Sequence, residues 1–398
     1  MTRSWRYAVT AALTAVGALA TGVVGYRVLG PAETVTPASA PYPPAVPATA
    51  GVTGQLGRAP LVVAGRLRVY AAKRQVWADR PIGSRTETTP FWSLRRWPQQ
   101  VLGVVAAPVG PAEAQLVVSR WSDGELLATD AQSGRIAWRV RGPVDRGAGY
   151  AGGRTGASTV YGPAGLYASD SVVVATGGGQ AEGLDAASGA PLWTVPVCRG
   201  TSFTGDGFFA MLDRCQAPPA LRRYDLRTGR ELAPWRPPGE TGMWGIEPVS
   251  CAVGNSACPA MRTPGAGWLF SGTDIVPAPP LATPGSWLTG GLAIGPDGTA
   301  RDARTGDPQW IWEPGSPDDT SPARIVAVET GAVYLLTRRH TMVVLDPSSG
   351  LELSRFPVDR VGAPTDWEPG YVHASDRFVV VERLSPDLPV RPVLVAGA

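Results

Sequence analysis

Between Ala323 and Phe356 the chain reads ARIVAVETGAVYLLTRRHTMVVLDPSSGLELSRF. Apolar residues gather into four short segments, and the polar stretches ETG, RRH and DPSSG part them. Short apolar segments bounded by turn formers predict β-strands joined by tight turns. The predicted strands carry Ile325, Val326, Tyr334, Leu336, Val343 and Leu345 on their inward faces. One such four-stranded unit cannot bury these side chains by itself, so it needs neighbours of the same kind on both sides. The same rhythm of strand, turn and strand runs from Ala59 onward.

A second pattern lies on top of this rhythm. TDAQSGRIAWRV (Asp130, Gly134, Trp138) returns as LDAASGAPLWTV (Asp185, Gly189, Trp193) and RDARTGDPQWIW (Asp302, Gly306, Trp310). YDLRTGRELAPW (Asp225, Gly229) and LDPSSGLELSRF (Asp346, Gly350) are looser copies. All five place Ser or Thr just before the Gly: Ser133, Ser188, Thr228, Thr305 and Ser349. An Asp that accepts backbone N–H bonds starts a turn, and Gly supplies the positive φ that lets a strand resume after it. Each copy therefore predicts a hairpin between two strands of one unit. The interval from Asp225 to Asp302 leaves room for one unmarked unit. RLRVYAAKRQVWADRPIGSRTETTPFWSL supplies one at the start, and GYVHASDRFVVVERL opens a last one that N-terminal residues would complete. The total is seven or eight, and eight fits better.

The D-x-x-[ST]-G-x-x-x-W phrase resembles the repeat of the PQQ-like (quinoprotein-type) β-propeller family, over most of Ala59 to Ala398. The resemblance implies an all-β fold, a β-propeller of four-stranded antiparallel blades. It also implies that Trp138, Trp193 and Trp310 pack between neighbouring blades; Trp235 and Phe356 lie two residues later than the pattern. The family holds both dehydrogenases and non-catalytic scaffolds. Its alcohol dehydrogenases cover their quinone with a disulfide between adjacent cysteines and use an Asn in a calcium site. This chain has no adjacent cysteines and a single Asn, Asn255. The expectation is therefore a protein without enzymatic activity, cofactor or metal, with a PQQ-dependent oxidoreductase as the alternative.

Composition agrees with many turns: Gly and Pro number 49 and 40, while charged residues are only 17%, too few for a disordered chain. Net charge is +3 and no dense basic cluster occurs, so nucleic acid is not an expected partner. Lys73 is the one lysine, an Arg bias that fits a GC-rich bacterial genome.

The N-terminus sets the expected compartment. Arg3 and Arg6 precede an uncharged apolar run from Tyr7 to Tyr26, long enough to span a bilayer as a helix. Arginines before the run favour a cytoplasmic N-terminus. The expected organisation is a short cytoplasmic tail (1–6), a transmembrane signal-anchor helix (7–29), a Pro/Ala-rich extracellular spacer (30–58) and the propeller (59–398). The alternative is secretion after cleavage at ASA, Ala38 to Ala40.

Cys198 and Cys215 are symmetric about Asp206-Gly207, and Cys251 and Cys258 about Gly254-Asn255. Hairpin turns at those dipeptides predict sequential disulfides, at home outside the cytoplasm. ATGGGQAEG (Ala175 to Gly183) reads as a hairpin turn and not a phosphate loop, because no helix follows it. His340 is expected in an exposed turn and His373 in an outer strand; neither has an evident triad partner. SPDDTSP (Ser316 to Pro322) reads as a solvated acidic loop. Trp121, Trp244, Trp287 and Trp367 fit local packing better than a binding face. These readings converge on a membrane-tethered scaffold that binds a protein or a cell-envelope component through a face of the propeller. A secreted ligand-binding propeller is a further alternative.

Overall fold

The computed structural model describes residues 30–44, 50–65, 67–79, 90–110, 115–145, 147–152, 160–163, 165–198, 200–313, 323–329, 331–359, 367–375, 378–385 and 393–397. These residues form eight antiparallel sheets, of which six have four strands, one has five and one has three. In chain order, the blades begin with the strands Leu61–Val63, Val101–Pro108, Leu166–Ser169, Ser202–Thr204, Glu247–Val249, Trp287–Thr289, Arg324–Glu329 and Glu368–Ser375. They are blades 1 to 8 below. The unmarked interval after Asp225 holds blade 5, whose last turn is a 3-10 helix at Pro279–Ala282.

First strands lie side by side from blade 2 through blade 4 and from blade 6 through blade 8, so they form the inner ring. Thr204 N–H donates to Asn255 O between blades 4 and 5, and Leu288 N–H to Ser250 Oγ between blades 5 and 6. Blade 8 returns to blade 1, with Glu368–Ser375 against Leu61–Val63. Blade 8 is built from both regions of the chain. Its strands Glu368–Ser375, Phe378–Leu384 and Val393–Gly397 are completed by Gly51–Leu56, which pairs Leu56 with Val393 and Gly51 with Gly397. A ring closed by main-chain pairing leaves no open first or last blade.

Two stretches of the expected spacer are thus strands of the propeller, and the domain starts before Ala59. Besides Gly51–Leu56, Ala32–Thr36 adds a fifth strand to the outer edge of blade 1, paired from Ala32–Trp97 to Thr36–Ser93. The physical reason is that an edge strand needs backbone partners, not apolar side chains; Ala32–Thr36 is almost wholly exposed. Blade 4 departs the other way: its fourth strand is reduced to the bridges Leu221–Trp235 and Tyr224–Glu231. The expected signal-anchor helix lies outside the described residues. Among the described residues no helix is long and apolar enough to cross a membrane.

Two histidines differ from expectation. His340 is buried, not exposed: its ring stacks on Trp367 at 3.9 Å, Nδ1 meets Asp359 Oδ2 at 2.7 Å and Nε2 meets Trp367 O at 3.2 Å. The handover from blade 7 to blade 8 folds over it. His373 lies on the innermost strand of blade 8, where its Nε2 bonds Val62 O of blade 1 at 3.0 Å.

Two expected outcomes test ring closure. A chain starting at Leu56 lacks the outer strand of blade 8 and should unfold at a lower denaturant concentration than one starting at Ala50. Equal midpoints in matched melts would show that the Gly51–Leu56 pairing adds nothing. For His373, burial depresses the pKa to about 4, against the smaller opposing pull of its bond to Val62. The folded ring therefore stays neutral at pH values where the unfolded one, near 6.5, takes up a proton. This contribution is complete above pH 6.5 and is lost as pH falls toward 4. The residue is partly open to solvent, so the loss is on the order of 1–3 kcal/mol. His373→Gln should flatten the stability-versus-pH curve between pH 7 and 4.5.

Candidate functional site

The repeated phrase forms the turn between the third and fourth strands of its blade. The carboxylate accepts both the N–H and the hydroxyl of the Ser or Thr three residues on: Asp130 from Ser133 at 2.7 and 2.6 Å, Asp185 from Ser188 at 2.9 and 2.7 Å. Asp225 and Thr228 do so at 2.8 and 2.7 Å, Asp346 and Ser349 at 2.8 and 2.9 Å. Asp302 keeps the N–H of Thr305 at 2.8 Å, while that hydroxyl turns to Asp307. These donors hold the carboxylates of Asp185, Asp225, Asp302 and Asp346 below the usual range. The largest cause is the Ser188 hydroxyl for Asp185, the Thr228 hydroxyl for Asp225, the Ser348 hydroxyl for Asp346 and the Thr305 N–H for Asp302.

The glycine has two reasons to be glycine. Gly134, Gly189, Gly229, Gly306 and Gly350 all have φ between 67° and 82°. Four of them also carry the indole of the preceding blade. A Cβ would lie 2.3 Å from Trp92 at Gly134, 2.7 Å from Trp138 at Gly189, 2.5 Å from Trp193 at Gly229 and 2.6 Å from Trp310 at Gly350. Each indole N–H crosses the boundary to a carbonyl just past the next Asp. Trp92 reaches Ala131 at 2.7 Å, Trp138 Ala186 at 2.8 Å, Trp193 Leu226 at 2.7 Å and Trp310 Pro347 at 3.0 Å. Gly306 instead faces Pro280, 3.9 Å away, because blade 5 carries no Trp there.

Trp92 is a docking residue that the repeat pattern does not mark, since residues 80–89 stretch the interval after Asp79. Trp235 packs edge-on against Trp268 of blade 5 at 4.9 Å, and Phe356 is buried at the junction with blade 8. Trp121, Trp244 and Trp367 are buried in local packing; Trp287 is half-buried. Buried arginines, also unmarked in the sequence, stitch further boundaries. Arg120 donates to Gly165 O, Pro143 O and Thr176 O between blades 2 and 3. Arg262 donates to Leu281 O and Ser286 O between blades 5 and 6, and pairs with Glu247 at 2.8 Å.

The disulfides join Cys198 to Cys215 and Cys251 to Cys258, with Cα–Cα separations of 6.0 and 4.0 Å. Gly177–Gln180 is the tip of a two-stranded hairpin, with positive φ at Gly178 and Gly179, as the ATGGG reading expects. The acidic stretch Ser316 to Pro322 lies outside the described residues. Among the described residues, the one convergence of metal-type donors is Cys198, Asp213 and Cys215, whose two sulfurs are bonded to each other.

The open space lies at the opposite end of the blades from the Asp turns. Here each fourth strand hands the chain to the next blade, and it is called the handover end below. One cleft of about 400 Å³ is bounded by Asp145, Tyr167, Gly178, Thr201, Ser202 and Asn255. A second, of about 440 Å³, is bounded by Glu247, Ser250, Asn255, Arg262, Trp287 and Arg324. Asn255 borders both, on the loop closed by Cys251–Cys258. That loop leans across the ring: Asn255 O accepts from Thr204 N, Ser256 Oγ from Ala168 N, and Gly254 approaches Tyr161 O. Tyr161 is fully enclosed, its hydroxyl bonded to Ala71 N, Ala59 O and Val69 O of blade 1 and its ring against Tyr371 of blade 8. Burial raises the Tyr161 pKa well above its ordinary value. Blades 1, 3, 4, 5 and 8 are thus tied together across the centre.

Residues 94–213 match the family model described as outer membrane protein assembly factor BamB. The chain contains PQQ-like propeller repeats. No curated protein matches the sequence. Among solved structures, BamB from Moraxella catarrhalis is similar at 14% identity, with 88% of this chain and 100% of that one covered and a TM-score of 0.47. The C-terminal WD40 domain of Sif2 is similar at 10% identity, over 88% and 99% of the two chains, with a TM-score of 0.47. The computationally designed Ika8 protein is similar at 14% identity, over 89% and 98%, with a TM-score of 0.46.

Removing the ring of Trp193 should cost about 3–5 kcal/mol by leaving a cavity against Gly229. Gly229→Ala should also destabilise, through its positive φ and the clash with Trp193. Combined with Trp193→Ala, the Gly229→Ala penalty should shrink, because the clash partner is gone. Denaturant melts of the two single variants and the double variant measure this; strict additivity would place the two residues apart.

Proposed function

We propose that the protein is a non-catalytic, extracytoplasmic propeller, tethered to the membrane by its N-terminal apolar run, that binds a protein or another envelope component at the handover end. The observation that carries this reading is the pair of clefts divided by the disulfide-closed loop around Asn255. Of their charged groups, Asp145 accepts from Gly178 N–H and Arg262 holds Glu247, while Arg324 is exposed at the second cleft. The repeated Asp, Ser/Thr and Gly positions lie in turns at the other end of the blades, and the Trp positions lie at blade boundaries. Two disulfides fit an oxidising compartment. The matching family model bears the name of an assembly factor, which favours a protein partner. Retention of the tether is favoured over cleavage near Ala40, because cleavage there would strip the fifth strand from blade 1.

Capture tests this reading. Full-length protein in detergent should retain a partner from envelope extracts. Thr201→Trp, which fills the first cleft, should weaken retention about tenfold or more, as loss of a central contact does. Arg135→Glu, at the opposite end of blade 2, should leave it unchanged. Equal retention by both variants would take the partner off this face. A saturable absorbance change on adding PQQ and calcium would speak for the oxidoreductase alternative.

A further inference from the structure

We infer that the segment after the apolar run is a clamp that fixes the propeller's orientation, with the handover end of blades 1 and 2 facing the lipid bilayer. The inference rests on the tether proposed above and adds a direction to it. Ala32–Thr36 runs antiparallel to the last strand of blade 1, so Ala32 lies beside Trp97, at the handover end. Thr36 lies beside Ser93, and two residues later Ala38 N–H donates to Ser133 O in an Asp turn at the other end. The chain therefore enters the propeller at the handover end and travels away from it.

Side chains hold this segment along its length. Glu33 accepts from Arg96 Nε at 3.1 Å and from Arg139 Nη2, bridging blades 1 and 2. Arg96 is nearly buried and also pairs with Asp123 at 2.9 Å and Glu125 at 2.6 Å, with Trp121 beneath it. Such shared, charge-assisted bonds around one enclosed guanidinium are stronger than isolated surface pairs. Farther on, Tyr42 packs edge-on against Phe91 at 5.1 Å and its hydroxyl donates to Asp79 O. Only residues 27–31 separate Tyr26, the end of the apolar run, from the clamped strand. Even fully extended they reach about 20 Å. A leash that short, leaving from the handover end of a strand fixed to blade 1, holds that end nearest the bilayer, because running back past the Asp-turn end would take up its whole length. The surface nearest the membrane is then the end that bears the two clefts.

Energy transfer to lipid tests the orientation. Arg135 and Arg141 flank the last strand of blade 2, one at each end, roughly 20 Å apart. Both are exposed, and the four native cysteines are disulfide-bonded, so Arg135→Cys and Arg141→Cys each provide one reactive thiol. Full-length variants are reconstituted into phosphatidylcholine vesicles carrying an acceptor on a small fraction of the headgroups, then labelled with an impermeant donor dye. Transfer should be at least twofold greater from position 141 than from 135. Equal or reversed transfer, in protein that floats with the vesicles, would overturn the orientation. Protein that does not float would refute the tether and the inference with it. Adding Glu33→Lys, which sets a like charge against Arg96 and Arg139, should bring the two transfers together in vesicle-bound protein; an unchanged difference would show that the clamp does not set the orientation.

Discussion

An indole N–H that must cross a blade boundary to find an acceptor is the interaction on which the ring depends. At four boundaries it is met by a carbonyl held in place by an Asp turn, and a glycine leaves room for the ring. A buried Trp needs a partner for its N–H, so the contact gives direction as well as area. Boundaries that lack the Trp find other cross-blade anchors. Trp235 meets Trp268 between blades 4 and 5, and Arg262 reaches the carbonyls of Leu281 and Ser286 between blades 5 and 6. His340, Asp359 and Trp367 close the boundary of blades 7 and 8, and His373 with Val62 closes that of blades 8 and 1. Apart from the ring contact of Trp235 with Trp268, each of these anchors satisfies a polar atom across the boundary, so a blade separated from its neighbour would bury an unpaired group or expose it.

Much of this was legible in the sequence where a local rule repeats. Asp, Ser/Thr and Gly act within five residues, so their spacing survives in the text, and the cysteine pairs are likewise symmetric about their own turns. Trp92 escaped because residues 80–89 part it from its strand partner. Arg120, Arg262 and Tyr161 escaped for another reason: their partners are carbonyls, which every residue supplies and which leave no mark on a sequence. His340 looked like a surface turn because its cover, Asp359 and Trp367, comes from the handover to the next blade.

The Pro/Ala-rich stretch is the instructive failure. AETVT lacks the apolar alternation of a half-buried strand, and four of its five residues are exposed. It is a strand because blade 1 offers a free edge and because Glu33 can pair with two arginines there. The strand is specified by its acceptor surface, and reading its own letters could not reveal it. A low-charge, proline-containing stretch can thus be structural wherever a sheet edge passes within reach.

The seam between Gly51–Leu56 and Val393–Gly397 also bears on how the molecule is made. The strand that finishes the last blade leaves the ribosome before blade 1 does, and its partner leaves only after blade 7. Until Val393–Gly397 emerges, Gly51–Leu56 has no strand to pair with, and a chain stalled short of it never closes the ring. Closure of the ring is therefore a built-in check that translation has passed this last strand: proteases and chaperones that recognise bare strand edges can tell a closed ring from an open one without reading its sequence.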